Sequence, residues 1–142
     1  LVRGYIGALT ARRLILGGTV MLGVAAAVAP ALSLASGFSP YTKATFDQAL
    51  KSGKPVLVHV HAGWCPVCVK QEAVFNELSN TPAFGKLTAF VVDFDRHVDF
   101  KKEYGINNQS VVLVFKGGKE VARSGGVTDK DKLAALVVDA AK

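Results

Sequence analysis

The sequence predicts an α/β domain, a central mixed β-sheet flanked by helices on both faces. Three observations predict it. Short β-branched apolar runs alternate with segments of helical period. The last two runs meet at Gly117-Gly118, a hairpin signal. Half of the 142 residues are apolar, enough for one domain with a real core.

The elements follow in order. Thr45-Phe46-Asp47-Gln48 fits a capping box, which places a helix over 42–52, stopped at Gly53. Residues 55–62, Pro-Val-Leu-Val-His-Val-His-Ala, read as a buried strand. Residues 65–79 read as a helix burying Val69, Ala73, Phe75 and Leu78, and Asn80-Thr81-Pro82 ends it. A second apolar strand spans 87–94, and a short helix over 98–104 closes at Gly105. Strands over 111–115 and 120–124 form the hairpin. Thr128-Asp129-Lys130-Asp131 caps a last helix through Ala141. The order is α-β-α-β-α-β-β-α, with no repeat and no internal linker. Phe46, Phe75, Phe90, Phe94 and Phe115 are scattered among these elements and read as core.

The first 36 residues stand apart. Arg12-Arg13 precede Leu14-Ile15-Leu16 and an Ala- and Gly-rich stretch to about Ala35. With small-x-small sites at Ala29-Pro30-Ala31 and Ser33-Leu34-Ala35, this is the pattern of an export signal. The paired arginines resemble a twin-arginine signal and also suit the general secretory route. A retained membrane anchor is the alternative, because residues 14–34 run uncharged for 21 positions, about a bilayer's span. Residues 1–36 are thus a signal peptide or N-terminal membrane anchor, and 37–142 a folded domain. Both readings place that domain outside the cytoplasm, in a periplasm-like compartment. Without Arg3, Arg12 and Arg13, 14 basic residues face 11 acidic ones, and the charge falls from +6 to +3. The lysines are interspersed with acids, so nucleic-acid binding is excluded in favour of solvated helix faces.

The chemistry sits in Trp64-Cys65-Pro66-Val67-Cys68, which holds both cysteines of the chain. Two thiols three positions apart on the first turn of a helix close a disulfide with little backbone movement. The first meets free backbone N–H groups at the positive helix end, which favours its thiolate. Cys65 is therefore the expected nucleophile, an exposed sulfur, and Cys68 the resolving thiol. Pro66 falls where a helix tolerates a missing N–H, and Trp64 walls the site. His59 and His61 lie two apart on the preceding strand and share a face. His59 is a candidate proton relay for Cys68. His97 reads as a solvated surface residue, and Asp93 to Asp95 as the cap of the following helix.

These landmarks resemble the thioredoxin family over about residues 42–141: the strand before Trp64-Cys65-x-x-Cys68, Tyr104-Gly105-Ile106, and Val112-Leu113-Val114-Phe115-Lys116-Gly117-Gly118. The resemblance implies a thioredoxin-like fold and cofactor-free dithiol–disulfide exchange with protein thiols. It places Gln109, Ser110 and Gly126 along the substrate groove, beside Trp64, Pro66, Val67, His59 and His61 as support for the cysteines. Three departures stand out. Ser110 occupies the place of a cis-proline, and a trans bond is expected because a cis bond there costs about 3–4 kcal/mol. His59 stands where the family often buries an acid. Pro66-Val67 replaces Gly-Pro, a change toward the periplasmic disulfide oxidases and isomerases. That predicts a potential between about −270 and about −120 mV.

Two other classes compete. His59, His61, Cys65 and Cys68 offer two imidazoles and two thiolates, a set suited to zinc or copper. The resemblance implies that the proline, which lacks an N–H, helps keep metal out, and Ser110 weakens that protection. A non-catalytic interaction domain is the other. The preferred reading is a monomeric oxidoreductase with no metal or cofactor. In an oxidising compartment, a reductase of this kind needs a membrane electron donor.

Overall fold

The computed structural model describes residues 37–142, so the proposed signal or anchor lies outside the described residues. In chain order it comprises β1 (Ser39–Pro40), α1 (Lys43–Lys51), β2 (Val56–His61), α2 (Pro66–Leu78), β3 (Thr88–Asp93), α3 (Val98–Glu103), β4 (Val111–Lys116), β5 (Lys119–Gly125) and α4 (Lys130–Ala140). A single 3₁₀ turn, Phe84–Lys86, precedes β3. The sheet order is β1-β3-β2-β4-β5. β1, β3 and β2 run parallel, and β4 and β5 are antiparallel additions.

The predicted architecture is present, with two elements the sequence reading missed. β1 is only two residues long and ends in proline, which an edge strand tolerates because one side of it needs no donor. The 3₁₀ turn is too short to show a period.

β2 is the axis of the sheet, paired on both sides and buried from Val56 to Val60. A strand covered on both faces needs a continuous apolar run rather than alternation. Val56, Val58 and Val60 pack with Phe46 of α1 and Phe100 of α3. Leu57 packs on the other face with Phe75 and Leu78 of α2 and Leu133 and Val137 of α4. The alternation of strand side chains thus divides the core into two layers. The hairpin turns at Gly117 and Gly118, both at positive φ (56° and 78°), as a two-residue loop of the primed kind requires.

Two local readings are corrected. The cap of α1 is Thr42, whose hydroxyl accepts the Thr45 N–H at 3.2 Å, and Thr45 itself lies in the first turn. The extended backbone that defines a cap falls at Thr42 (φ −134°), one turn earlier than the sequence pattern suggested. In α2 the buried stripe is Cys68, Gln71, Phe75 and Leu78, while Val69 and Ala73 are exposed. The helix is phased by its cysteine end, and a glutamine occupies a place that apolar counting gave to other residues.

Phe46 is the largest anchor of the α1–α3 layer, edge-on to Phe90, Phe100, Tyr104 and Phe115. Phe46→Ala is expected to lose about 3–5 kcal/mol, read as a lower urea midpoint by circular dichroism. An unchanged midpoint would mean that this layer carries little of the stability.

Candidate active site

β2 delivers the chain directly to the N-terminus of α2. Cys65 is the N-cap residue, in extended conformation, and its Sγ accepts the backbone N–H of Cys68 at 3.2 Å. Pro66 is the first helical residue, where no N–H is needed. A sulfur therefore satisfies an orphan donor at the positive end of the helix. Both cysteines are free thiols.

Cys65 is only 2% exposed, so the expected open sulfur is corrected to a covered one. The cover is thin. Trp64 beside it is 62% exposed, and Gly63 and Pro66 are exposed as well. Cys68 is fully buried, and Ala62, Val67 and Phe94 enclose the pair. Trp64 is held in place by Asp95, whose carboxylate accepts the indole N–H at 2.8 Å. The sequence pattern makes Asp95 part of a helix cap, and the structure gives it to the indole instead. It is Asp93 that accepts two turn N–H groups, from Asp95 and Arg96. A contact spanning 31 residues leaves no local signal.

Ser110 completes the site. Its Oγ lies 3.1 Å from Cys65 Sγ and 3.1 Å from Cys68 Sγ. No peptide bond among the described residues is cis, as expected for Gln109–Ser110. Ser110 does adopt φ +65°, alone among the described non-glycine residues. The backbone there is pinned: Ser110 N–H donates to Val60 O at 2.9 Å, and Ser110 O accepts from Gly126 N at 2.9 Å. Of the three residues expected along a groove, Ser110 touches both sulfurs, Gln109 hydrogen-bonds Cys65, and Gly126 meets the Ser110 carbonyl.

The two thiols differ in acidity. Burial raises Cys65, but hydrogen bonds from Cys68, Ser110 and Gln109 outweigh it and hold the thiol at about 7. Burial pushes Cys68 above the ordinary thiol value, and its hydrogen bond to Cys65 adds to that. The first thiol ionises and the second keeps its proton.

Gln71, which the sequence reading missed, ties the site together. Its Nε2 donates to Val127 O at 2.8 Å and Ser110 O at 3.1 Å. With both amide hydrogens committed to carbonyls, Oε1 must accept. The group that donates to it is His59 Nε2–H, at 3.0 Å. His59 is therefore a neutral Nε2–H tautomer facing Gln71, not a relay touching Cys68. His61 turns toward α2, its Nε2 3.4 Å from a Glu72 carboxylate oxygen without forming a hydrogen bond. His97 is corrected as well. It is half-buried, accepts the Asp93 N–H at 2.9 Å through Nδ1, and packs edge-on against Tyr41.

The four-residue metal set does not assemble. Among the described residues no three His, Cys, Asp or Glu side chains converge as ligands. His59 spends its Nε2 on Gln71, and the Ser110 hydroxyl contacts both sulfurs.

Burial holds His59, 3% exposed, well below its usual 6.5, at about 4, and the neighbouring His61 adds to the shift against the Gln71 hydrogen bond. Between pH 6.5 and about 4 the unfolded chain takes up a proton that the folded one refuses. This contribution is complete above pH 6.5 and drains away as the pH falls toward 4, by about 3 kcal/mol. Urea melts at pH 7.5 and 4.5 should show that loss in the wild type and a smaller one in His59→Leu. A His59 ring that titrates near 6.5 by NMR would contradict the assignment.

Comparison with known proteins agrees with this geometry. The sequence profile of the family described as Thioredoxin matches residues 37–139. A thioredoxin of Alicyclobacillus acidocaldarius is 33% identical over 98 residues, covering 69% of this chain and 92% of that protein. Thioredoxin C-2 of Corynebacterium nephridii is 40% identical over 88 residues, 62% of this chain and 81% of that one. The crystal structure of Trxlp from Edwardsiella tarda superposes with a TM-score of 0.67 at 40% identity, covering 69% of this chain and 95% of that one. With its close cysteine pair at a helix N-terminus, the chain belongs to the thioredoxin family of thiol–disulfide oxidoreductases.

Proposed function

We propose that this domain exchanges disulfides with client proteins outside the cytoplasm, by Cys65 attack and Cys68 resolution. The observation that carries the assignment of roles is the cap. Cys65 Sγ accepts the Cys68 N–H at the start of α2, and its thiol is held at about 7, while Cys68 is fully buried. At neutral pH a large fraction of Cys65 is thiolate, the attacking species. It displaces one sulfur of a client disulfide and forms a mixed disulfide. Cys68 then attacks Cys65 Sγ, the pair closes, and the client leaves as a thiol.

The direction follows from the same balance. A strongly acidic nucleophile stabilises the dithiol and makes the disulfide a strong oxidant. Cys65 at about 7 stabilises it only mildly, which supports a reductase. The extracytoplasmic placement is supported by Arg12-Arg13 and the uncharged run after them. In an oxidising compartment the resulting disulfide must be reset by a membrane electron donor. The folded domain works as a monomer.

Reduced protein should reduce insulin disulfides, Cys65→Ser should abolish this, and Cys68→Ser should accumulate client mixed disulfides through Cys65. Trapping through Cys68 in the Cys65→Ser protein would reverse the roles. Iodoacetamide should modify Cys65 with a midpoint near pH 7 and spare Cys68. Equal labelling of both would overturn the proposed asymmetry. Equilibration with glutathione should give a potential nearer about −270 than about −120 mV; the opposite outcome would make the protein an oxidase.

A further inference from the structure

We propose that the Ser110 hydroxyl is a catalytic group that carries the Cys68 proton to the departing client sulfur. This rests on the disulfide-exchange reading above. A hydroxyl has one hydrogen to give and two lone pairs to receive with. Ser110 Oγ is 3.1 Å from each sulfur, so it can accept from Cys68 S–H while donating toward Cys65. A proline at this position has no group able to do either.

Elimination leads to the same atom. Cys68 Sγ otherwise contacts Cys65, which in the mixed disulfide is the atom under attack, and Val60 O at 4.0 Å, a carbonyl that takes no proton. His59 Nε2 already bears hydrogen and points at Gln71. The groups that lead in setting Cys68 are burial, Cys65, Ser110 and the Ala62 backbone, with no carboxylate or amine among them. Those that lead for Cys65 are burial, Cys68, Ser110 and Gln109. His61 faces Glu72, and Asp95 is engaged by Trp64.

The oxygen is also rigidly placed. Ser110 is 4% exposed, its N–H is held by Val60 O, and its carbonyl by Gly126 N and Gln71 Nε2. Gln71 is thus a positioning residue for the hydroxyl.

The step balances as follows. Cys68 Sγ attacks Cys65 Sγ of the mixed disulfide, the Cys65–client S–S bond breaks, and the bonding pair leaves on the client sulfur. As this happens the Cys68 proton passes to Ser110 Oγ, and the Ser110 hydroxyl proton passes to the client sulfur. The products are the Cys65–Cys68 disulfide, a client thiol and an unchanged serine. The cysteine pair loses the two electrons that the client gains.

Ser110→Gly tests this, since glycine suits φ +65° and removes only the hydroxymethyl group. Reduced protein is mixed in stopped flow with oxidised glutathione, whose leaving sulfur needs a proton, or with dithionitrobenzoate, whose leaving sulfur is a stable anion. The concentration-independent resolving step should slow at least about tenfold with glutathione and distinctly less with thionitrobenzoate. Equal losses, or none, overturn the relay. If the variant does not fold, the wild-type resolving step in mixed H₂O and D₂O decides: two protons in flight give a curved dependence on deuterium fraction, and a straight line overturns the proposal. A wild type that reduces insulin while these tests fail sinks only the role of Ser110. A wild type that leaves insulin intact sinks the exchange reading beneath it.

Discussion

A sulfur atom caps a helix, and the rest of the site is arranged around that contact. α2 begins within a few residues of the buried end of β2, so its first N–H groups emerge beside the core and need an acceptor. Cys65 supplies one through Sγ. The partial positive charge at the helix end then does for a thiol what a carboxylate cap would make impossible: it favours an anion that is also a nucleophile. Burial opposes this, and the hydrogen bonds at Cys65 overcome it by only a modest margin. The nucleophile is thus poised near neutrality rather than permanently charged, and its neighbour one turn along stays protonated until it is needed.

Gln71 is the structural counterpart of that cap. It lies fully buried in α2, three residues past Cys68, and its amide reaches β2 through His59 and two loops through Ser110 and Val127. Each of its three hydrogen-bonding contacts joins elements distant in sequence. A buried amide is costly unless every donor and acceptor is paired. Here both donors and the acceptor are used, so the group specifies one arrangement of the loops beside the cysteines instead of merely being tolerated.

Much of this was legible in the sequence, and the parts that were not share a cause. The order of the elements after β1, the hairpin at Gly117-Gly118 and the placing of Cys65 and Cys68 at the start of α2 follow from local spacing. Local spacing also misled where a helix phase had to be chosen: Val69 and Ala73 looked like core, yet Gln71 holds the buried place because its partners come from elsewhere in the chain. Asp95 and Trp64 meet across a similar gap. The hydroxyl of Ser110 was visible as a missing proline, but its contact with both sulfurs depends on a left-handed backbone that no neighbouring residue announces. His97 looked like a loop residue because the ring it packs against, Tyr41, lies on the far side of the sequence.

The two departures from the family pattern that most affect chemistry, His59 for a buried acid and Ser110 for proline, are joined through one side chain. Gln71 accepts from His59 and donates to the Ser110 carbonyl. Burying a carboxylate beside the resolving thiol would cost desolvation and leave a charge to be balanced. A neutral histidine paired with an amide avoids that charge, but it also removes the group that could accept the Cys68 proton. A hydroxyl in the proline's place restores a path for that proton without restoring the charge. On this view each change makes sense only with the other. Restoring an acid at position 59 alone would leave Gln71 Oε1 facing a second acceptor, and the shared amide would have to break its hold on either the strand or the loop.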